Sequence, residues 1–150
     1  MTIVVHLFKD YIKGTPKRAL VQMVEIHLCH LTAAVIKGVG LSPNKVYLNT
    51  RVLKHMYDKR PAEEFDLMLF ALIDVVKYPN KVYKNKNGKR GSYCFVKEVK
   101  NSKCLVSIET ICEKTSNEER CQIVTFFRTD DSYLSNFELL WEWKGGNPSS

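Results

Sequence analysis

The hydrophobic period of this chain changes near residue 80, and that change constrains the fold more than any other feature. From Val52 to Val76, just before it, apolar residues recur at helical spacing. After it, they tend to alternate. Phe65, Met68, Leu69, Leu72, Ile73 and Val76 form one stripe on a helix that Pro61 opens, with Glu63 and Glu64 at its positive end. Tyr78-Pro79-Asn80 stops it. Lys81–Lys84, Ser92–Val99, Cys104–Ile111 and Cys121–Arg128 then read as short strands. Asn87-Gly88 is a hairpin dipeptide, Lys100–Lys103 turns the chain back, and Glu113–Arg120 is a charged loop. Helices followed by hairpin-connected strands argue an α+β fold, with helices covering an antiparallel sheet.

The flanking segments are less decided. Residues 2–8 read as a first strand and Tyr11–Arg18 as a loop. Leu20–Ile36 admits two readings. Thr15 and Pro16 would start one long helix, whereas the alternation in Val24-Glu25-Ile26-His27-Leu28 favours a strand over 20–28 and a short helix Leu31–Lys37 stopped by Gly38. Ser42-Pro43-Asn44 is a turn, and Val46–Leu48 a short extended piece. Thr129–Phe137 reads as a turn with a helical piece, Leu139–Trp143 as a last apolar patch, and 144–150 as a flexible tail.

The totals narrow the function classes. One domain of 150 residues is large enough to bury a core unaided. The net charge of +7 favours nucleic acid as partner, ahead of an anionic membrane surface or an acidic protein. No apolar run approaches the roughly eighteen residues of a membrane span. Met-Thr-Ile-Val-Val-His-Leu-Phe-Lys-Asp lacks a basic leader and a small-residue cleavage site, so no secretion signal is expected. Five cysteines, an odd number without a CxxC pair, fit a reducing cytoplasm.

The stretch Asn49–Pro61 is the main candidate for chemistry. Asn49 is an N-cap; Val52, Leu53, Met56 and Tyr57 form an apolar stripe; Arg51, Lys54, His55 and Asp58 fall on the other side. Neighbouring cations disfavour a protonated imidazole, and a bound phosphate favours it, which suits a proton-transfer group meeting an anionic substrate. A solvated helix face carrying one histidine would look the same.

A second candidate is the basic run Lys77, Lys81, Lys84, Lys86, Lys89 and Arg90, interleaved with Tyr78, Tyr83 and Tyr93 and free of acids as far as Lys97. Lysines neutralise phosphates and tyrosines stack on exposed bases, although lysines also guard edge strands. In the fourth strand, Thr125 needs a hydrogen-bond partner and Arg128 suits a bidentate grip on phosphate. In a regular strand these two point to opposite faces, so they share a site only if the strand ends or bulges near Phe127. Arg128 could equally pair with Glu109, Asp130 or Asp131. His27, Cys29 and His30 lack a second pair at zinc spacing, and no Gly-rich phosphate loop is present, so no metal and no cofactor is expected.

Leu53-Lys54-His55, Arg60-Pro61, Tyr78-Pro79-Asn80 and the strand Ile-Val-Thr-Phe-Phe-Arg together resemble the barnase, EndoU, colicin D and RelE group of nucleases, in its phage- and mobile-element-associated branch. The resemblance covers about residues 20–143. It implies helices packed on one face of a curved antiparallel sheet, and metal-independent RNA cleavage by attack of a ribose 2′-hydroxyl on the adjacent phosphate. It implies His55 as acid or base, Arg60 and Arg128 as phosphate stabilisers, and Thr125 orienting the phosphate or His55. Lys84 or Tyr83 would supply a further proton-transfer or binding group. Members of that branch often carry a histidine where Arg60 stands, which puts a two-histidine mechanism in doubt. The partners implied are RNA, tRNA among the candidates, and an acidic inhibitor or immunity protein. The other readings are a nucleic-acid-binding module without chemistry and a basic module that docks an acidic protein.

Overall fold

A computed structural model describes residues 2–85, 92–112, 115–116 and 118–144. Lys86, Lys89, Arg90 and the Asn87-Gly88 turn lie outside the described residues.

The fold is α+β, with an open seven-stranded, mostly antiparallel sheet and helices packed against it. In chain order the described elements are α1 (Ile3–Tyr11), β1 (Glu25–His30), α2 (Ala33–Val39), β2 (Lys45–Asn49), α3 (Thr50–Lys59), α4 (Ala62–Lys77), β3 (Lys81–Lys84), β4 (Tyr93–Val99), β5 (Ser102–Cys112), β6 (Glu119–Thr129), α5 (Asp131–Leu134) and β7 (Glu138–Glu142). The strand order is β1-β2-β6-β5-β4-β3-β7. Among the described strands only β2 and β6 run parallel, sharing Val46–Cys121 and Tyr47–Gln122. The β4–β5 hairpin closes through Lys100 and Asn101, both at positive φ (50° and 63°), between the paired residues Val99 and Ser102. A two-residue turn of that hand matches the twist of its strands.

Helices α1 to α4 contribute to the larger core. Phe65, Met68, Leu72, Val75 and Val76 of α4 meet Phe95, Val106, Ile108, Ile123 and Phe126 from one sheet face. Each fully buried side chain of this size contributes about 1.5–3 kcal/mol. Strand alternation sends Cys94, Val96 and Leu105 to the other face, where they meet Leu134 of α5 with Tyr83, Phe127 and Phe137 around them.

Two segments depart from their sequence reading. Residues 2–8 are the cap and first turns of α1, not a strand. Thr2 caps it by accepting from Val5 N, and Val4 and Leu7, three apart, are buried. Phe8 packs against Tyr57 and Phe65 with ring centroids 5.4 and 5.2 Å apart. Tertiary burial of one helical face here overrides the strand preference of Ile3-Val4-Val5. The helix expected to stop at Gly38 runs on to Val39, and Gly40, at φ +83°, is its left-handed cap. Gly38 serves a close approach instead: a Cβ there would lie 1.9 Å from Trp141 Cδ1. The strand placed at 20–28 begins only at Glu25. The chain before it is held by Thr50, whose Oγ1 donates to Gln22 O and accepts from Val24 N.

Candidate functional site

The site is built where α3 replaces a strand. β2 pairs with β6 only at Val46 and Tyr47, then turns into α3 at Thr50. Asn49 caps α3 by accepting from Val52 N at 2.9 Å, and the helix ends at Arg60, before Pro61. Beyond Gln122 the open edge of β6 therefore runs beside α3, and side chains of the helix reach the sheet face that lacks the main helical layer. Thr125 Oγ1 donates to Met56 Sδ at 3.2 Å, and the Arg60 guanidinium lies over the Phe127 ring at 5.0 Å.

A cleft of about 330 Å³ results, lined by His55, Lys59, Arg60, Asn85, Leu105, Thr125, Phe127 and Tyr133. Three of the residues singled out in the sequence thus share one cavity: His55 from exposed α3 surface, Arg60 from its C-cap, and Thr125 from β6. Lys59, Asn85, Phe127 and Tyr133 carried no signal of their own. They come from the last turn of α3, the residue after β3, β6 and α5, and only the fold joins them.

Register decides which residues face the cleft. β6 does contain a bulge, but at Val124: Ser107 pairs with Thr125 and Ile108 with Ile123. From Thr125 to Arg128 the ladder is regular, through Phe126–Val106, Phe127–Leu105 and Arg128–Cys104. Arg128 therefore points to the face opposite Thr125. Its Nε lies 3.5 Å from Glu64 Oε1, and its backbone N–H donates to Glu64 Oε2. So the bulge expected near Phe127 lies on the wrong side of Thr125 to unite the two, and the ion-pair partner is Glu64 of α4, not Glu109, Asp130 or Asp131. Glu64 also approaches Arg60, with 3.8 Å between Oε2 and Nε. The Arg60 Nε is buried without a hydrogen-bond partner.

Lys54 differs from its reading as a polar-face cation. It is 6% exposed, and its Nζ donates to Pro16 O at 2.7 Å and Asp58 Oδ1 at 2.6 Å. It ties α3 to the loop before β1. Burial alone would raise the Asp58 pKa, but the Lys54 bond, the Arg18 N–H and the charges of Lys54 and Lys17 outweigh it and hold the carboxyl below its usual range. Burial pushes the Tyr133 phenol up, with Arg60 pulling the other way.

The hairpin residues separate. Lys84 lines a groove next to the cleft. Tyr83 packs with Cys94, Val96 and Leu105, whereas Tyr93 packs against the larger core on the other face. Lys81 is 3.5 Å from Glu142, and Lys97 is buried, donating to Tyr78 O at 2.8 Å. On β1, His27 and His30 have ring centroids 4.6 Å apart. Among the described residues no three His, Cys, Asp or Glu side chains are grouped to hold a metal ion. No helix among them is long and apolar enough to cross a membrane.

Compared with known proteins, the chain matches no family model, no curated protein and no solved structure.

Proposed function

We propose that this chain is a metal-independent endoribonuclease of the barnase, EndoU, colicin D and RelE kind, toxin-like and acting on cytoplasmic RNA, with tRNA among its candidate substrates. The observation that carries this reading is the sharing of one cleft by His55, Arg60 and Thr125. An acidic inhibitor or immunity protein is the natural partner for a chain with net charge +7.

The chemistry divides among the cleft residues. His55 takes the proton of a ribose 2′-hydroxyl, or gives one to the departing 5′-oxygen. The 2′-oxygen bonds to phosphorus as the bond to the 5′-oxygen breaks, leaving a cyclic phosphate and a 5′-hydroxyl. Arg60 and Lys59 offer cationic donors to the phosphorane oxygens. Thr125 Oγ1 can turn from Met56 Sδ to a phosphate oxygen, a far stronger acceptor than a thioether. The second proton-transfer group is Lys84, which lines the adjoining groove; Tyr83 is packed beneath the sheet face. Arg128 supports the site through Glu64, whose other neighbour is Arg60.

The test is single-turnover cleavage of RNA in EDTA by wild type and His55→Ala, with melting curves alongside. His55 is exposed and outside the buried stripe of α3, so the variant should remain folded. Its cleavage rate should fall by about a hundredfold to ten-thousandfold. A folded variant with near-normal activity would remove His55 from the mechanism. A wild type that needs a divalent metal would overturn the class. Binding without cleavage would make the domain a nucleic-acid-binding module.

A further inference from the structure

Two histidines stand side by side at one edge of the sheet. β1 ends the strand order, and among the described residues it pairs only with β2. Its register carries a bulge. His27 pairs with Tyr47, Cys29 with Val46 and His30 with Lys45, so Leu28 is the extra residue. In a regular strand residues 27 and 30 would point to opposite faces. The bulge instead turns both Leu28 and Cys29 toward the larger core and returns His30 to the face of His27. The two rings lie 4.6 Å apart between centroids, at 89° to one another, and both residues are exposed.

That spacing suits a shared metal ion. Imidazole is a preferred ligand of divalent zinc, copper and nickel. Two imidazoles bound to one ion through nitrogens at about 2.0–2.1 Å have centroids about 4.5–5.2 Å apart. The terminal torsion of histidine is broad, so the rings can turn to aim one nitrogen each at the ion. Cys29 supplies no thiolate, because it packs against the core and burial pushes its thiol up to about 11. The Arg120 guanidinium is held by Glu25 through hydrogen bonds of 2.7 and 3.2 Å and lies over the Tyr47 ring at 4.5 Å. Lys45, opposite His30, is exposed, and its long stem can carry its charge into water.

A closed zinc site takes four protein ligands in a tetrahedron. One chain offers two here, since among the described residues no three His, Cys, Asp or Glu side chains are grouped. The remaining positions lie at an open sheet edge, where a second copy can bring the same pair about a twofold axis.

We propose that His27 and His30 are half of a tetrahedral zinc site, completed by the same pair from a second copy across the β1 edge. The ion then joins two chains that otherwise repel one another, each with net charge +7. The pair shares no residue with the cleft, so this site is independent of the ribonuclease reading.

The experiment is sedimentation of the full chain during a zinc titration. Metal-free protein should sediment as a monomer. About half an equivalent of Zn²⁺ per chain should double the mass, and EDTA should restore the monomer. His27→Gln and His30→Gln should each abolish the zinc-dependent dimer with unchanged melting curves, since both side chains are exposed. His55→Ala should dimerise as wild type does. Co²⁺ in wild type should show the intense visible absorption of a tetrahedral complex, a readout that needs no variant. Weak octahedral absorption would overturn the site, as would one zinc per chain without a change in mass. Dimers that persist in EDTA or in either glutamine variant would overturn it too, and so would a wild type that takes up no zinc. Cleavage of RNA in EDTA by wild type stands or falls separately from each of these results.

Discussion

Thr125→Val separates what the cleft needs from what the fold needs. Thr125 is 7% exposed, and its hydroxyl faces Met56 Sδ at 3.2 Å. A thioether is a weak acceptor. Desolvating a hydroxyl costs about 1–3 kcal/mol, and a bond to such a partner returns less than about 1 kcal/mol. Valine has the same branched shape and an equal liking for a strand, and it places a methyl where the hydroxyl was. The variant should therefore lie between unchanged and about 1.5 kcal/mol more stable. For a chain of this length that is a rise in Tm of between zero and about 5 °C. Cleavage should move the other way. A hydrogen bond to a charged phosphate is worth about 1.5–3 kcal/mol, and each 1.36 kcal/mol is about tenfold in rate. Single-turnover cleavage should thus fall by about ten- to a hundredfold while the melting curve holds or improves. A variant that melts several degrees lower and cuts normally would show that the hydroxyl serves the fold, and would remove Thr125 from the site.

The remaining predictions concern the surroundings of the cleft. Lys54→Met should destabilise the chain by about 2–3 kcal/mol by leaving Pro16 O without its side-chain donor and Asp58 with only the Arg18 N–H. Because the folded Asp58 carboxyl is depressed, its stabilisation is present above its unfolded pKa near 4 and is lost as pH falls through the lower folded value. The stability gap between wild type and Lys54→Met should therefore narrow below about pH 4, and parallel curves would refute the tie. Arg128→Ala should lower cleavage far less than Arg60→Ala, since Arg128 faces Glu64 and Arg60 lines the cleft; equal losses would place Arg128 on the substrate. In native protein at neutral pH, iodoacetamide followed by mass spectrometry should label exposed Cys112 first. Burial pushes the Cys94 and Cys104 thiols up to about 11 and Cys121 to about 12, so early labelling of these three would contradict the packing.

The sequence determined the parts whose causes lie within one or two turns of chain. Asn49 needs only Val52 N, three residues on, to open α3. Pro61 ends one helix and begins the next, and the stripe from Phe65 to Val76 names its own buried face. The change of period near residue 80 was enough for the α+β class. What crosses the chain was decided by the tertiary structure. Three β-branched or apolar residues at the start read as strand, yet the room beside Tyr57 and Phe65 makes them helix. Gly38 reads as a stop until Trp141, about a hundred residues away in the chain, is seen against it. In β6 the side chains alternate, so a single extra residue at Val124 settles which of them face the cleft and which face α4. That is why Thr125 shares a cleft with His55 and Arg60 while Arg128, three residues later, meets Glu64. It is also why Tyr133 and Asn85 are invisible in the sequence: a cavity wall is a relation between elements, and pattern along one strand or helix carries no record of what lies across from it.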